Sequence, residues 1–241
     1  MAVGAIAVIT RLSMMFTLLP GIGELSIPVR VRMALVFAVS AAIVPLAVPV
    51  QMELLSTTDL LRIMIFEGLI GFALGFSFRV LVQALMMAGT IIAQAMSLSQ
   101  IFGAGVVEEP NPSVAMLLIM AGAALFVTLD FHTYAVGLLM ESYMLFPIGD
   151  VPASGALGEW AMQRVAGAVS LSVSLAAPFL IIGFLYNVVL GLMNQAMPQM
   201  MVTFIGVPAN VMVGLLILGI AIIAIMLAWV DAVEIAFEGF W

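Results

Sequence analysis

Apolar runs of bilayer length, separated by short polar breaks, set the rhythm of this chain. From Val165 to Val230 no residue is charged, and the one polar interruption is Asn194 to Asn210, NQAMPQMMVTFIGVPAN. A membrane-crossing helix needs about 20 apolar residues, so the run holds two such helices and a connector. Asn194, Gln195, Gln199 and Asn210 supply side-chain amides in the break. Pro198, Gly206 and Pro208 argue against a helix passing through it uninterrupted. The break is therefore expected to be a shaped turn between two membrane-grade helices.

The same reading predicts the rest of the chain. Val3 to Gly23 is apolar apart from Arg11 and closes at Pro20-Gly21, giving a first helix. Arg30 and Arg32 sit in a short loop, and Met33 to Met52 is a second, uncharged span with Pro45 and Pro49 near its far end. Thr57-Thr58-Asp59 caps a third helix, expected from about Leu60 to Arg79. This helix carries Glu67 and places Gly68, Gly71 and Gly75 on one face, where a helix of this chain or of another subunit can approach closely. Glu67 and Arg79 are about 18 Å apart along the helix, so each needs a partner from elsewhere.

Val80 to Val107 is uncharged but holds Gln83, Gln94, Ser97, Ser99 and Gln100. Gln83 and Gln94 fall within about 20° of each other around a helix, a possible polar-lined face. Amides inside a span require partners in protein or in a water-filled cavity. Phe102-Gly103-Ala104-Gly105 and then Glu108-Glu109-Pro110-Asn111-Pro112 join a flexible piece to a stiff one, either a long connector or a functional loop. Ser113 to Leu129 is the next apolar helix, and Asp130-Phe131-His132 reads as a helix end or kink. Phe146 to Trp160, with Pro147, Gly149, Pro152, Gly155 and Gly158, reads as a surface connector. Pro178 is expected to kink the helix that follows, Val211 to Val230 is the last span, and Asp231, Glu234 and Glu238 mark an acidic end.

Composition sharpens the class. The 241 residues are 65% hydrophobic and 8% charged, against roughly a quarter charged in soluble domains. The fold class is all-α: a polytopic integral membrane protein of about six to seven hydrophobic helices, some broken or kinked, with no room for a second soluble domain. The net charge of -7 and the absence of lysine exclude nucleic acid and a polybasic lipid anchor as partners. With no cysteine and one histidine, His132, the chain offers too few ligands for a zinc or haem site, and no cofactor is expected. The N-terminal stretch lacks the basic start and cleavage site of a signal peptide and reads as a retained helix.

No HExxH, Walker lysine, dinucleotide fingerprint or nucleophile elbow is present, so an enzyme is not expected and no catalytic residue is assigned. The charges inside apolar stretches are Arg11, Glu67, Arg79, Asp130 and Glu141, and such residues are functional candidates by default. One reading is a self-contained secondary transporter or ion channel using Glu67, Arg79 and Asp130, with broken helices at Pro178 and the 194–210 break. Its weakness is that no two halves of the chain repeat.

A series of motifs supports a different reading. Gly89-Thr-Ile-Ile-Ala-Gln94, Asp130-Phe131-His132, Glu141-Ser142-Tyr143 with Pro147, Ala177-Pro178, and Pro198-Gln199 followed by Val202-Thr-Phe204-Ile-Gly206-Val-Pro208 resemble, in order and spacing, the FliR family of flagellar and type III secretion export-gate membrane proteins. The resemblance covers most of the chain. It implies a non-enzymatic subunit that assembles with FliP-like and FliQ-like subunits, and with an FlhB-like export protein, around a conduit for unfolded export substrates. The implied location is the bacterial inner membrane, at a flagellar basal body or secretion-system base. Family members look like a FliP-like part, here about 1–160, fused to a FliQ-like part, here 161–241, in a helical cone largely above the bilayer plane. In the family the loop after the Gly-x4-Gln helix helps plug the closed channel. That assigns Ile101, Phe102, Gly103 and Gly105 to the plug, as an apolar stopper on a glycine-flexible stem. Glu67, Gly68, Gly71, Gly75, Arg79, Gln94, Pro178, Pro198, Gln199, Gly206 and Pro208 are the candidates for subunit contact or structure. The chain departs from the family at Met201, often asparagine, and at Asn210, often lysine, which weakens any charge-dependent role of the break.

Overall fold

The computed structural model describes residues 2–23, 27–47, 56–96, 113–150, 154–196 and 202–238. Among them it contains seven helices and no strand: α1 (Ala2–Leu18), α2 (Val29–Ala47), α3 (Thr57–Ala95), α4 (Ser113–Thr128), α5 (Phe131–Leu145), α6 (Ser154–Ala196) and α7 (Val202–Glu238). This is the all-α polytopic membrane protein expected from the apolar runs. Among the described residues four helices are long and apolar enough to cross a membrane: α2, α3, and the 158–196 and 208–237 portions of α6 and α7. A fifth span results if α4 and α5, bent by 67° at their junction, count as one. Asp130 makes that bend in the left-handed conformation, φ 57°, and it is the one non-glycine residue with positive φ among the described residues. An aspartate tolerates this geometry better than the branched residues around it.

Several boundaries differ from the sequence expectation. The break expected at Arg79 does not exist, because α3 runs 39 residues from Thr57 to Ala95. One charge with a long aliphatic stem does not stop a helix that its apolar neighbours favour. The connector expected over 146–160 ends early, since α6 starts at Ser154 and takes in Gly155 and Gly158. Gly206 and Pro208 are not in a turn but lie inside α7; Pro178 lies within α6, the helix it is expected to kink. Proline removes a single backbone donor, and a long helix can carry that loss when the bonds on either side remain.

The chain divides into two compact units. The first comprises residues 1–80, 123–166 and 235–241. Its core is the buried stripe of α1 (Ala7, Val8, Leu12, Met15), with Ile70, Leu74 and Phe78 of α3 and Ala135 and Leu139 of α5. An aromatic group of Phe78, Phe126, Phe131 and Phe237 closes it, with ring centroids 4.9 to 5.9 Å apart. The second unit comprises residues 81–122 and 167–234. There Gly89 lets α3 meet the backbone of Ala115 on α4. Fully buried Trp229 of α7 packs beside Gly122 and donates its indole N–H to the carbonyl of Leu81, 3.0 Å away.

Candidate functional site

Arg11 is the single charge of α1, and a lone guanidinium in an apolar helix needs a counter-charge close by. The first unit supplies it from α3. Arg11 Nε donates to Glu67 Oε2 at 2.7 Å, and both side chains are fully buried. The remaining polarity is also matched. Arg11 Nη1 donates to Ser142 Oγ at 2.9 Å and Nη2 to the carbonyl of Phe146 at 3.0 Å. The second carboxylate oxygen, Glu67 Oε1, accepts the backbone N–H of Gly149 at 3.2 Å. The guanidinium also lies over the ring of Tyr143, 4.0 Å from its centroid, where the ring's negative face favours a cation.

Each contact has a local cause. Phe146 follows the last residue of α5, and the carbonyls at a helix C-terminus carry partial negative charge that a cation offsets. Gly149 takes φ +90°, which turns its N–H toward Glu67 and which other residues rarely adopt. Ser142 Oγ accepts from Arg11 and donates its own O–H to the carbonyl of Leu139 at 2.6 Å. One ion pair thus ties α1, α3, the end of α5 and the turn leading to α6.

The glycine face of α3 is what brings Arg11 into reach. A Cβ at Gly71 would run into the backbone carbonyl of Arg11, and one at Gly75 would lie 2.7 Å from the carbonyl of Met15. A Cβ at Gly68 would make ordinary contact with Thr10 and Met14. The helix these glycines admit is α1 of the same chain.

The second unit has a smaller polar anchor at the end of α3. Asn210 of α7, buried to 5% exposure, donates from Nδ2 to the carbonyl of Ala95 at 3.3 Å. Gly183 of α6 leaves room for that same carbonyl, and Gly214 of α7 leaves room for the side chain of Met96.

The structure therefore gathers Glu67, Gly68, Gly71 and Gly75 around α1. Arg79 is half-buried, three turns beyond Glu67, and does not take part in the Arg11 cluster. Gln94 and Pro178 are exposed, Gly206 is half-buried against Tyr186, and Pro208 is exposed. Asp130 is exposed, with His132 Nε2 at 4.0 Å from its carboxylate. Ile101, Phe102, Gly103, Gly105, Pro198, Gln199 and Met201 lie outside the described residues. Ser142, Tyr143, Phe146 and Gly149 enter the site without having been singled out for it. The unmatched charge of Arg11 was the signal that could have led to them. Among the described residues no group of three or more histidine, cysteine, aspartate or glutamate side chains could hold a metal ion.

Comparison with known proteins agrees with the motif pattern. The family described as Bacterial export proteins, family 1, matches residues 2–235. The chain is 30% identical to the flagellar biosynthetic protein FliR of Caulobacter vibrioides, over 94% of its own length and 91% of the relative's. It is 31% identical to the Escherichia coli FliR over 61% of this chain and 57% of that one. With the FliR of Aquifex aeolicus it shares 30% identity over 63% and 59%. A match along nearly the whole chain, on a fold of long apolar helices, means that the chain belongs to the FliR family of bacterial export proteins, membrane components of the flagellar export apparatus.

Proposed function

We propose that this chain is a non-enzymatic subunit of the flagellar protein export gate, seated in the bacterial inner membrane at the basal body. It assembles with FliP-like and FliQ-like subunits, and with an FlhB-like export protein, into the conduit that passes unfolded substrates. Residues 1–160 act as its FliP-like part and 161–241 as its FliQ-like part. Beyond family membership, the supporting observation is the apolar surface that the fold leaves bare. Only 33% of the apolar window of α6 and 28% of that of α7 is buried by the chain itself. On α6 the exposed stripe advances through Val169, Val173, Leu180, Phe184, Val188 and Leu192, about 35 Å along the helix axis. The hydrocarbon of a bilayer covers about 30 Å. At 43 and 37 residues, α6 and α7 measure about 64 and 55 Å, so lipid alone does not account for their length and other subunits are the natural cover.

On this reading the Arg11–Glu67 pair sets the shape that the partners recognise, and the loop holding Ile101, Phe102, Gly103 and Gly105 helps to close the conduit. The transporter reading requires Glu67, Arg79 and Asp130 on one water-filled path. Glu67 is instead sealed at 0% exposure with both carboxylate oxygens occupied, and no observation favours that alternative. The test is purification of the tagged full chain from native membranes in mild detergent, with mass spectrometry of what accompanies it. FliP-like and FliQ-like subunits in a stable complex are the expected result. Recovery of the chain alone, folded and monodisperse, would contradict the proposal.

A further inference from the structure

The first unit carries a groove of about 380 Å³ that takes no part in the Arg11 cluster. Its walls are Thr133, Tyr134, Gly137, Leu138 and Glu141 of α5 and Phe237 in the last turn of α7. Positions 134, 137, 138 and 141 follow the spacing of one helix face, so the groove runs about 10 Å along α5. One end is aromatic: the rings of Tyr134 and Phe237 stand 5.8 Å apart at 55°, and Tyr134 is 62% exposed. The other end is the exposed carboxylate of Glu141, for which the described residues offer no hydrogen bond or ion pair. Arg11 of α1, which reaches the buried Ser142 next along α5, is committed to Glu67.

The floor is a glycine with no packing role. A Cβ added at Gly137 would meet nothing within 4 Å, although glycine in mid-helix is disfavoured relative to alanine. Its effect is to keep the groove open between the aromatic corner and the carboxylate. Aromatic faces and a carboxylate set at opposite ends of a short open groove attract the same kind of group, a cation on an apolar stem. This chain has no lysine and a net charge of -7, so the complementary surface is a basic one.

We infer that this groove is a docking site for an arginine or lysine side chain of a partner protein, held between the Tyr134 and Phe237 rings and the Glu141 carboxylate. The inference rests on the geometry of α5 and the last turn of α7 and stands apart from the identity of the export-gate subunits.

The experiment places photoreactive benzoylphenylalanine at position 133, on the rim, in the full chain in native membranes. Mass spectrometry then locates the adduct. The expected result is one protein adduct on a peptide bearing arginine or lysine. Glu141→Arg and Gly137→Leu should each lower its yield about tenfold, the range of a cation–π contact and a charge pair lost together. The amount of chain in the membrane should stay unchanged, since one side chain is exposed and the other position has open space. Changing the partner's basic residue to glutamate should restore the yield with Glu141→Arg. Adducts to lipid alone, no adduct, a peptide without a basic residue, or a yield indifferent to both substitutions would overturn the inference.

Discussion

Removing either member of the Arg11–Glu67 pair should destabilise the chain far more than removing both. In Glu67→Leu the guanidinium keeps Ser142 Oγ and the Phe146 carbonyl but loses its counter-charge at zero exposure, and the N–H of Gly149 loses its acceptor. In Arg11→Met the carboxylate is left with Gly149 alone. An uncompensated buried charge costs about 3–5 kcal/mol, whereas apolar replacement of a whole pair is often close to neutral. The double variant should therefore fall short of the sum of the single effects by about 2 kcal/mol or more. The remaining cost of the double variant should be about 1–2 kcal/mol, for the two orphaned backbone groups. The assay is SDS-titrated unfolding of the full chain from native membranes, run as a double-mutant cycle. Additive effects, or single substitutions each costing under about 1 kcal/mol, would refute the view that this pair holds α1, α3 and α5 together.

Three further outcomes follow from the packing. Gly71→Ala should force α1 away from α3 and cost about 1–3 kcal/mol, while Gly167→Ala and Gly219→Ala, whose Cβ atoms would meet nothing, should be neutral or stabilising by up to about 1 kcal/mol; the same unfolding titration separates them. Asn210→Leu removes the donor to the Ala95 carbonyl and should cost about 1 kcal/mol. Asn210→Lys keeps a donor and places a cation at the C-terminal end of α3, so it should be tolerated, and proteolysis in intact membranes reads the difference. Trp229→Phe should cost about 1 kcal/mol for the bond to Leu81, against about 3–5 kcal/mol for Trp229→Ala, a gap measurable by thermal unfolding in detergent.

Local chemistry made the helical class and most helix positions readable. Apolar runs of bilayer length have few alternatives to a helix, and Ser113 to Thr128 fell almost where the pattern put it. The misplaced boundaries share one physical origin. Arg79, Gly155, Gly158, Gly206 and Pro208 each weaken a helix locally, by amounts that the packing and the backbone bonds of helices of 37 to 43 residues outweigh. The requirement that Glu67 find a partner on another element was legible. Its pairing with Arg11 was not, because 56 residues separate them and only the close approach of α1 along Gly71 and Gly75 makes it possible. Asn210 is instructive in a similar way. As a departure from a frequent lysine it weakens a charge-dependent role of the break, but its amide still donates to the end of α3. The groove at Gly137 left no trace in the sequence, since an open helix face and a packed one can share the same spacing.

If this chain is a subunit of the export gate as proposed, flagellar protein export requires it. The most direct measurement is secretion of flagellar substrates into the medium by the native host after deletion of the gene, with and without the wild-type chain restored. The account predicts that secretion stops while the substrates accumulate inside the cell, and that the restored chain recovers it. Undiminished secretion without the chain would contradict the account.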